Sequence, residues 1–389
     1  MIHAKSTELT EPLPARLAGP AAAAPPGSPR FFHLDALRAA LMFWGILVHS
    51  STLDPGNAVY RTIAVVSGLV RMEAFFVISG FLAYMLLKKY GAAVTVRKRL
   101  LAIGLPFATA LVLLNPVTNH LIYIYHNGPI PLADYLAGKG AAGAAGPMNW
   151  HLHLWFLIAL FVYSLLAPLA GKLVDRGLAL SPISLRHPQA AFFTMCAGVM
   201  AACLASRVGF ELIKDALPAS SHYVVRSIGN FLPFYVLGML LFAVPRLREI
   251  FSRIHGVQTV LSCGLLYLAT LWGGKDPGRM HEALILCLQS YVGLTLSSLL
   301  FWLAAKWVPG ESDLARRMSD SAYSVYLFHF LAIYLFAHAM RGWVSGSMLL
   351  LTLVAAATFV TTYLLHRLVI SRVPLLALLL NGKPLRRSK

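Results

Sequence analysis

The chain has 389 residues, 58% of them hydrophobic, with a mean hydropathy of +0.68 and a formal net charge of +18. So apolar a composition, recurring in long runs, excludes an ordinary soluble domain and a disordered chain. The positive charge would suggest nucleic acid in a soluble protein. Here Lys and Arg fall mostly in short connections between apolar runs, which is how membrane helices are oriented, so no nucleic-acid partner is expected.

The first thirty residues are Pro- and Ala-rich and lack a long apolar core, so a disordered cytoplasmic arm is expected and not a signal peptide. Ten spans follow, over residues 33–52, 64–87, 100–118, 152–171, 190–206, 228–245, 257–273, 282–304, 320–340 and 347–370. Each is close to the ~20 residues that cross a hydrocarbon core, the fifth being the shortest. An even number of crossings leaves both termini on one side. The connections on that side carry most of the Lys and Arg, so the chain is expected to run N-in and C-in. The expected fold is all-α: a polytopic membrane helical bundle of about ten transmembrane helices, one domain over 31–372 with a basic cytoplasmic tail over 373–389. The longest outer connection, 119–151, contains "GKGAAGAAGPMNW" and reads as a flexible linker. No internal repeat is visible, which weighs against a transporter built from inverted halves. Cys196, Cys203, Cys263 and Cys287 lie in apolar runs without CxxC spacing and read as small core residues, with no metal or disulfide role.

Polar residues inside the spans carry the functional argument. Arg38 and His49 sit in "LDALRAALMFWGILVHS", eleven positions apart. That is close to three helical turns, so both fall on nearly one face, ~16 Å apart along the axis. Placing an arginine in lipid costs ~2.5–3.5 kcal/mol even on the lenient insertion scale. The pair therefore reads as a face turned into the bundle. Asp35 either caps the first helix or pairs with Arg38. Glu73 is the one carboxylate well inside a span, two residues after Arg71 in "VRMEAFFVISGFL". His153 starts the fourth span in "WHLHLWFL", Arg226 opens the sixth, and His329 is mid-depth in the ninth. Most of these fall in the outer half. Arg71, Arg226 and Arg341 also fit headgroup snorkelling, and Trp150 and Trp155 fit an interfacial aromatic belt. His49, Glu73 and His329 resist such readings, because an imidazole or carboxyl facing lipid leaves its polar atoms unpaired.

Histidine is suited to taking a proton from a hydroxyl near neutral pH, a carboxylate can fix its tautomer, and arginine can hold phosphate or carboxylate groups. No GxSxG elbow, HExxH, Walker loop or dinucleotide fingerprint occurs in a fitting context. These residues alone fit an acyltransferase, a proton-coupled exporter, or an intramembrane lipid enzyme or flippase.

The segments "FFHLDALRAALMFWGILVHSS", "VRMEAFFVISGFLAYMLLKKYG", "HLHLWFLIALFVYSLL", "NFLPFYVLGMLLFAVPRLREIF" and "SAYSVYLFHFLAIYLF", in this order, resemble the acyltransferase-3 membrane family. The likeness covers about 31–385, and the "LPFYVLGMLLF" run and the tail "RVPLLALLLNGKP" point to its branch that succinylates osmoregulated periplasmic glucans. The resemblance implies a multi-pass O-acyltransferase of the bacterial cytoplasmic (inner) membrane. An acyl-CoA, succinyl-CoA in that branch, would be the donor from the cytoplasm and a periplasmic glucan the acceptor outside, with no permanently bound cofactor. It carries over to Arg38 and His49, to Arg71, to His153 and Trp155, and to His329. Where the family often has a histidine-proline step after the last motif, this chain reads "FHFL". On this reading His49, Glu73 and His329 are catalytic, Glu73 by inference from its position. Arg38, Arg71, His153, Trp155 and Arg226 bind substrate, and Arg97 and Arg99 meet the CoA phosphates. A nucleophilic Ser79 is better explained as a small residue at a helix contact. An O-acetyltransferase of another envelope glycan or lipopolysaccharide, and a proton-coupled exporter, are the alternatives. A homo-oligomer or a complex with a glucan synthase is left open.

Overall fold

The computed structural model describes residues 31–140, 143–180, 186–273 and 278–383. The expected arm over 1–30 and the last six residues of the tail lie outside the described residues.

Among the described residues all regular structure is helical, and fifteen α-helices follow in order. They are α1 (Phe32–Ser50), α2 (Ala58–Gly68), α3 (Arg71–Tyr90), α4 (Ala92–Thr109), α5 (Asn115–Asn127), α6 (Leu132–Leu136), α7 (Trp155–Leu180) and α8 (Pro188–Ile213). After them come α9 (His222–Ala243), α10 (Pro245–Phe251), α11 (Gly256–Trp272), α12 (Arg279–Trp307), α13 (Asp313–Met340), α14 (Ser347–Leu365) and α15 (Pro374–Asn381). Nine helical segments among these residues are long and apolar enough to cross a membrane, and α10 with α11 makes a tenth, bent by 64°. The ten coincide with the ten expected spans. The bend leaves carbonyls without helical partners, and the buried Ser298 hydroxyl shares its one hydrogen between two of them, those of Phe251 and Arg253. In a membrane such freed backbone groups must be satisfied inside the protein.

Two contacts organise the bundle. Helix α3 packs on α9 backbone to backbone: a Cβ on Gly80 would collide with the Tyr235 carbonyl, and one on Gly238 with the Val77 carbonyl. Small residues at such a crossing let two helices approach closely where lipid gives no hydrophobic driving force. Helix α1 lies along α13, and its Leu34, Leu37 and Leu41 are buried at three- and four-residue spacing. Ser312 caps the start of α13, its hydroxyl accepting from the Ala315 amide at 3.3 Å. Helix α13 then runs unbroken through His329, consistent with the absence of proline from "FHFL".

Three local features differ from the sequence expectation. The second span is two helices, interrupted at Leu69 and Val70, so Arg71 begins a new helix. Between α4 and α5 the turn widens into a π-helix over Ala110–Leu114, just before Pro116, which has no amide hydrogen to donate. Residues 119–127, expected in a flexible linker, are the end of α5. Three asparagines of α5 then hold down the returning chain. Asn115 donates to the Trp150 carbonyl (3.0 Å) and Asn119 to the Asn149 carbonyl (3.2 Å). Asn127 both donates to the Ala145 carbonyl (2.9 Å) and accepts from its amide (2.7 Å). At the other end of the chain, α15 packs on α4, and Asn381 accepts from the buried Ser324 hydroxyl (2.9 Å), which also bonds His366 (2.8 Å). The first part of the expected basic tail is thus a short apolar helix.

Candidate active site

The histidines arrive from three directions. His49 is in the last turn of α1, where Thr52 donates to its carbonyl at 2.6 Å. His153 is in a 3-10 turn, Leu152–Leu154, immediately before α7. His329 is in mid-α13. Ring centres lie 5.1 Å apart for His49 and His329, 4.8 Å for His153 and His329, and 6.2 Å for His49 and His153. All three, with Arg71, Trp155 and Tyr326, line one cavity of about 330 Å³. An apolar cluster that includes Ile46, Ile122, Leu152, Phe330 and Ile333 lies against the same region, with Phe330 touching the rings of His49 and His153.

Each imidazole is in a distinct state of hydrogen bonding. Nδ1 of His329 lies 2.6 Å from the Tyr326 carbonyl. A carbonyl oxygen only accepts, so Nδ1 carries the hydrogen and Nε2 presents a lone pair. That Nε2 is buried and has no hydrogen-bond partner. His153 is buried with neither ring nitrogen partnered, while its carbonyl accepts from the Tyr326 hydroxyl at 2.7 Å. His49 is half-buried and meets the others only ring to ring. Buried imidazole nitrogens without partners are costly, and their gathering on one cavity is the pattern of a site built to take polar groups from outside.

Arg71, the first residue of α3, donates from Nε to the Ser67 hydroxyl at 2.9 Å, across the break between α2 and α3. Beside His153, Leu152 has φ = 45°. A side chain other than Gly in that left-handed region costs of order 1–3 kcal/mol, so the turn that aims His153 is strained and held by its surroundings. The Asn115 bond to Trp150, two residues upstream, and the Tyr326 bond to His153 are two of those restraints.

The cavity thus gathers His49, Arg71, His153, Trp155 and His329, and leaves the other candidates outside. Glu73 follows Arg71 by two positions, about 200° around the helix. It is buried against Gly293 of α12 with Oε2 unpartnered, and it does not line the cavity. Arg226 is one turn beyond Tyr223 on α9 and also does not line it. Arg38 pairs with Asp35 (3.5 Å) and donates to Ser319 (3.1 Å), toward the opposite end of α1. Asp35 thus pairs with Arg38 and also lies in the first turn of α1. Arg97 is exposed and Arg99 donates to Ser164 (3.1 Å), both on α4. Ser164 is nine positions beyond Trp155 on α7, about 14 Å along the helix, and neither Arg97 nor Arg99 lines the cavity. Gly45, Ser67, Tyr223, Phe231 and Tyr326 line the cavity without having been singled out. Of these, Tyr326 was findable, one turn before His329 on the same helix face. Among the described residues no group of three His, Cys, Asp or Glu side chains is arranged to hold a metal ion.

Comparison with known proteins adds an independent line. Residues 31–367 match the model of an acyltransferase domain family. The curated relatives include Glucans biosynthesis protein C of Escherichia coli O81 (strain ED1a) and of Escherichia coli strains SMS-3-5 / SECEC and K12 / DH10B. Each is 26% identical over 385 residues, covering 91% of this chain and 95% of the relative. No solved structure matches the chain.

Proposed function

The chain belongs to the acyltransferase-3 family of membrane proteins, and from that premise we propose that it transfers a succinyl group from succinyl-CoA to hydroxyls of a periplasmic glucan. The observation that carries the chemistry is the meeting of three imidazoles and one guanidinium on a single cavity within a membrane bundle. The acyl group and acceptor follow the printed name of relatives at 26% identity, together with the excess of basic residues at the opposite end.

In the proposed reaction His49 takes the proton of the acceptor hydroxyl as its oxygen attacks the thioester carbonyl carbon. His329, with its ring centre 5.1 Å from that of His49, offers its free Nε2 lone pair to the imidazolium that forms. Since the Nδ1 hydrogen of His329 is committed to the Tyr326 carbonyl, neutral His329 has no hydrogen to offer an oxyanion. That task falls to Arg71, whose guanidinium lines the cavity. Collapse of the tetrahedral intermediate breaks the carbon–sulfur bond, and the imidazolium returns its proton to the departing thiolate. Arg97, Arg99 and Arg38, at the end assigned to the cytoplasm, take the phosphates of the CoA. In this scheme Glu73 has no contact with the reacting groups.

The test is direct. Purified protein in lipid nanodiscs is given succinyl-CoA or acetyl-CoA and a neutral glucan, and the glucan is weighed by mass spectrometry. A mass gain of one succinyl group per modified site, lost in His49→Ala, is expected. Acetyl transfer alone would move the protein to the O-acetyltransferase alternative. Unmodified glucan with both donors overturns the proposal.

A further inference from the structure

One aromatic row is not used by the reaction as written. It begins at Trp150, half-exposed at the end of the segment pinned by α5, and passes edge-on to His151 (ring centres 5.1 Å apart). It continues to Tyr223 of α9, stacked on His151 at 5.8 Å with planes 9° apart. Tyr223 in turn stands edge-on to Trp155 (5.7 Å, 85°), and Trp155 stacks on Phe231 (5.9 Å, 27°). Tyr223, Trp155 and Phe231 line the histidine cavity, while Trp150 and Tyr223 keep 50% and 46% of their surface exposed.

We infer that this row is the acceptor's binding track, a platform for the neutral hexose rings of a glycan; the inference rests on the acyl-transfer reading above. A hexose offers a face of C–H groups and a rim of hydroxyls, and carries no charge for Arg71 to grip. An aromatic face takes the first, and ring edges with hydrogen-bonding groups take the second. The perpendicular pair Tyr223 and Trp155 makes an L-shaped corner open to the cavity, so a ring lying flat on one meets the other with its rim. Trp150 and Tyr223 present half-exposed rings, with the buried His151 between them as their support, and Trp155 and Phe231 carry the row on to the cavity. A headgroup belt has a different layout: its rings spread around the perimeter at one depth. The pinning of 143–151 by Asn115, Asn119 and Asn127 then has a second use, since it fixes Trp150 as well as His153.

The test separates binding from transfer. Full-length His49→Ala protein in nanodiscs is titrated calorimetrically with maltoheptaose, a neutral gluco-oligosaccharide, in the absence of any acyl donor. Tyr223→Ala and Trp150→Ala in that background are expected to weaken binding by up to about tenfold each, the size of one aromatic contact. Tyr223→Phe should bind like its parent, which separates the ring from its hydroxyl. In the otherwise wild-type chain, the same alanine changes should raise the glucan KM and leave the KM for acyl-CoA unmoved. Equal affinity across the variants, or no binding by the parent, overturns the inference and assigns the row to the lipid headgroups. Tyr223-dependent binding by a protein that acylates no glucan would keep the track and discard the reaction.

Discussion

The guanidinium of Arg71 lies against the backbone of Gly45, one helical turn before His49. A Cβ placed on Gly45 would stand 3.0 Å from Nη1 of Arg71. One turn of α1 therefore supplies both an imidazole and the room for the cation beside it. Gly45→Ala should push the guanidinium aside by a few tenths of an ångström. Displacements approaching 1 Å cost about 10²-fold in rate, so a fall of about tenfold is expected with the fold retained. Arg71→Lys should cost more, because a single ammonium cannot keep the Ser67 bond and also present a planar fork to the cavity. Initial rates in nanodiscs, beside melting temperatures, check both.

His49→Ala and His329→Ala should each lower kcat by about 10²–10⁴, the usual contribution of a positioned acid–base group. The double variant should be little worse than either, since the two rings act as a unit. Glu73→Gln should keep most of the activity, because its carboxyl faces α12. A Glu73→Gln enzyme as inactive as His49→Ala would return the carboxylate to the mechanism.

Asn115→Ala removes the donor to the Trp150 carbonyl, at a cost of about 1–3 kcal/mol if that group stays dry. Hydrogen exchange should quicken over residues 143–151 and spare α1 and α13. The transfer rate should fall as well, because the same segment carries the strained turn at Leu152 and aims His153.

Gly80→Ala or Gly238→Ala puts a methyl group where α3 and α9 touch backbone to backbone. Overpacking of this kind costs typically about 1–3 kcal/mol, and with carbonyls as the obstacle little relaxation is open to it. A clear drop in melting temperature is expected, with residual activity proportional to the folded fraction. An unchanged melting temperature would mean that the two helices can separate without loss.

The sequence made the spans legible because a hydrocarbon core demands about 20 apolar residues each time. It made His49, His153 and His329 legible because imidazoles in apolar runs are expensive unless gathered. What it hid was direction. Glu73 reads as catalytic from its depth in the span, yet two positions after Arg71 on a helix it points away from the cavity that Arg71 lines. Gly45, Ser67 and Tyr223 carry no such cost, so nothing in an apolar stretch marks them. The break at Leu69 and Val70 and the docking of 143–151 also went unread. The second has a signal: Asn115, Asn119 and Asn127 recur at multiples of four, one polar stripe on a helix whose apolar run ends at 118.

Helix α1 sets Arg38 and His49 about 16 Å apart, about half the thickness of a hydrocarbon core. An acyl group handed over that distance samples the electric field of an energised membrane. A succinyl carboxylate moving outward, away from a negative interior, is helped by about half of the ~2.3 kcal/mol per 100 mV that a full crossing gives, whereas an acetyl group is indifferent. Vesicles clamped at different potentials with potassium and valinomycin would thus report the charge of the cargo by electrical means alone.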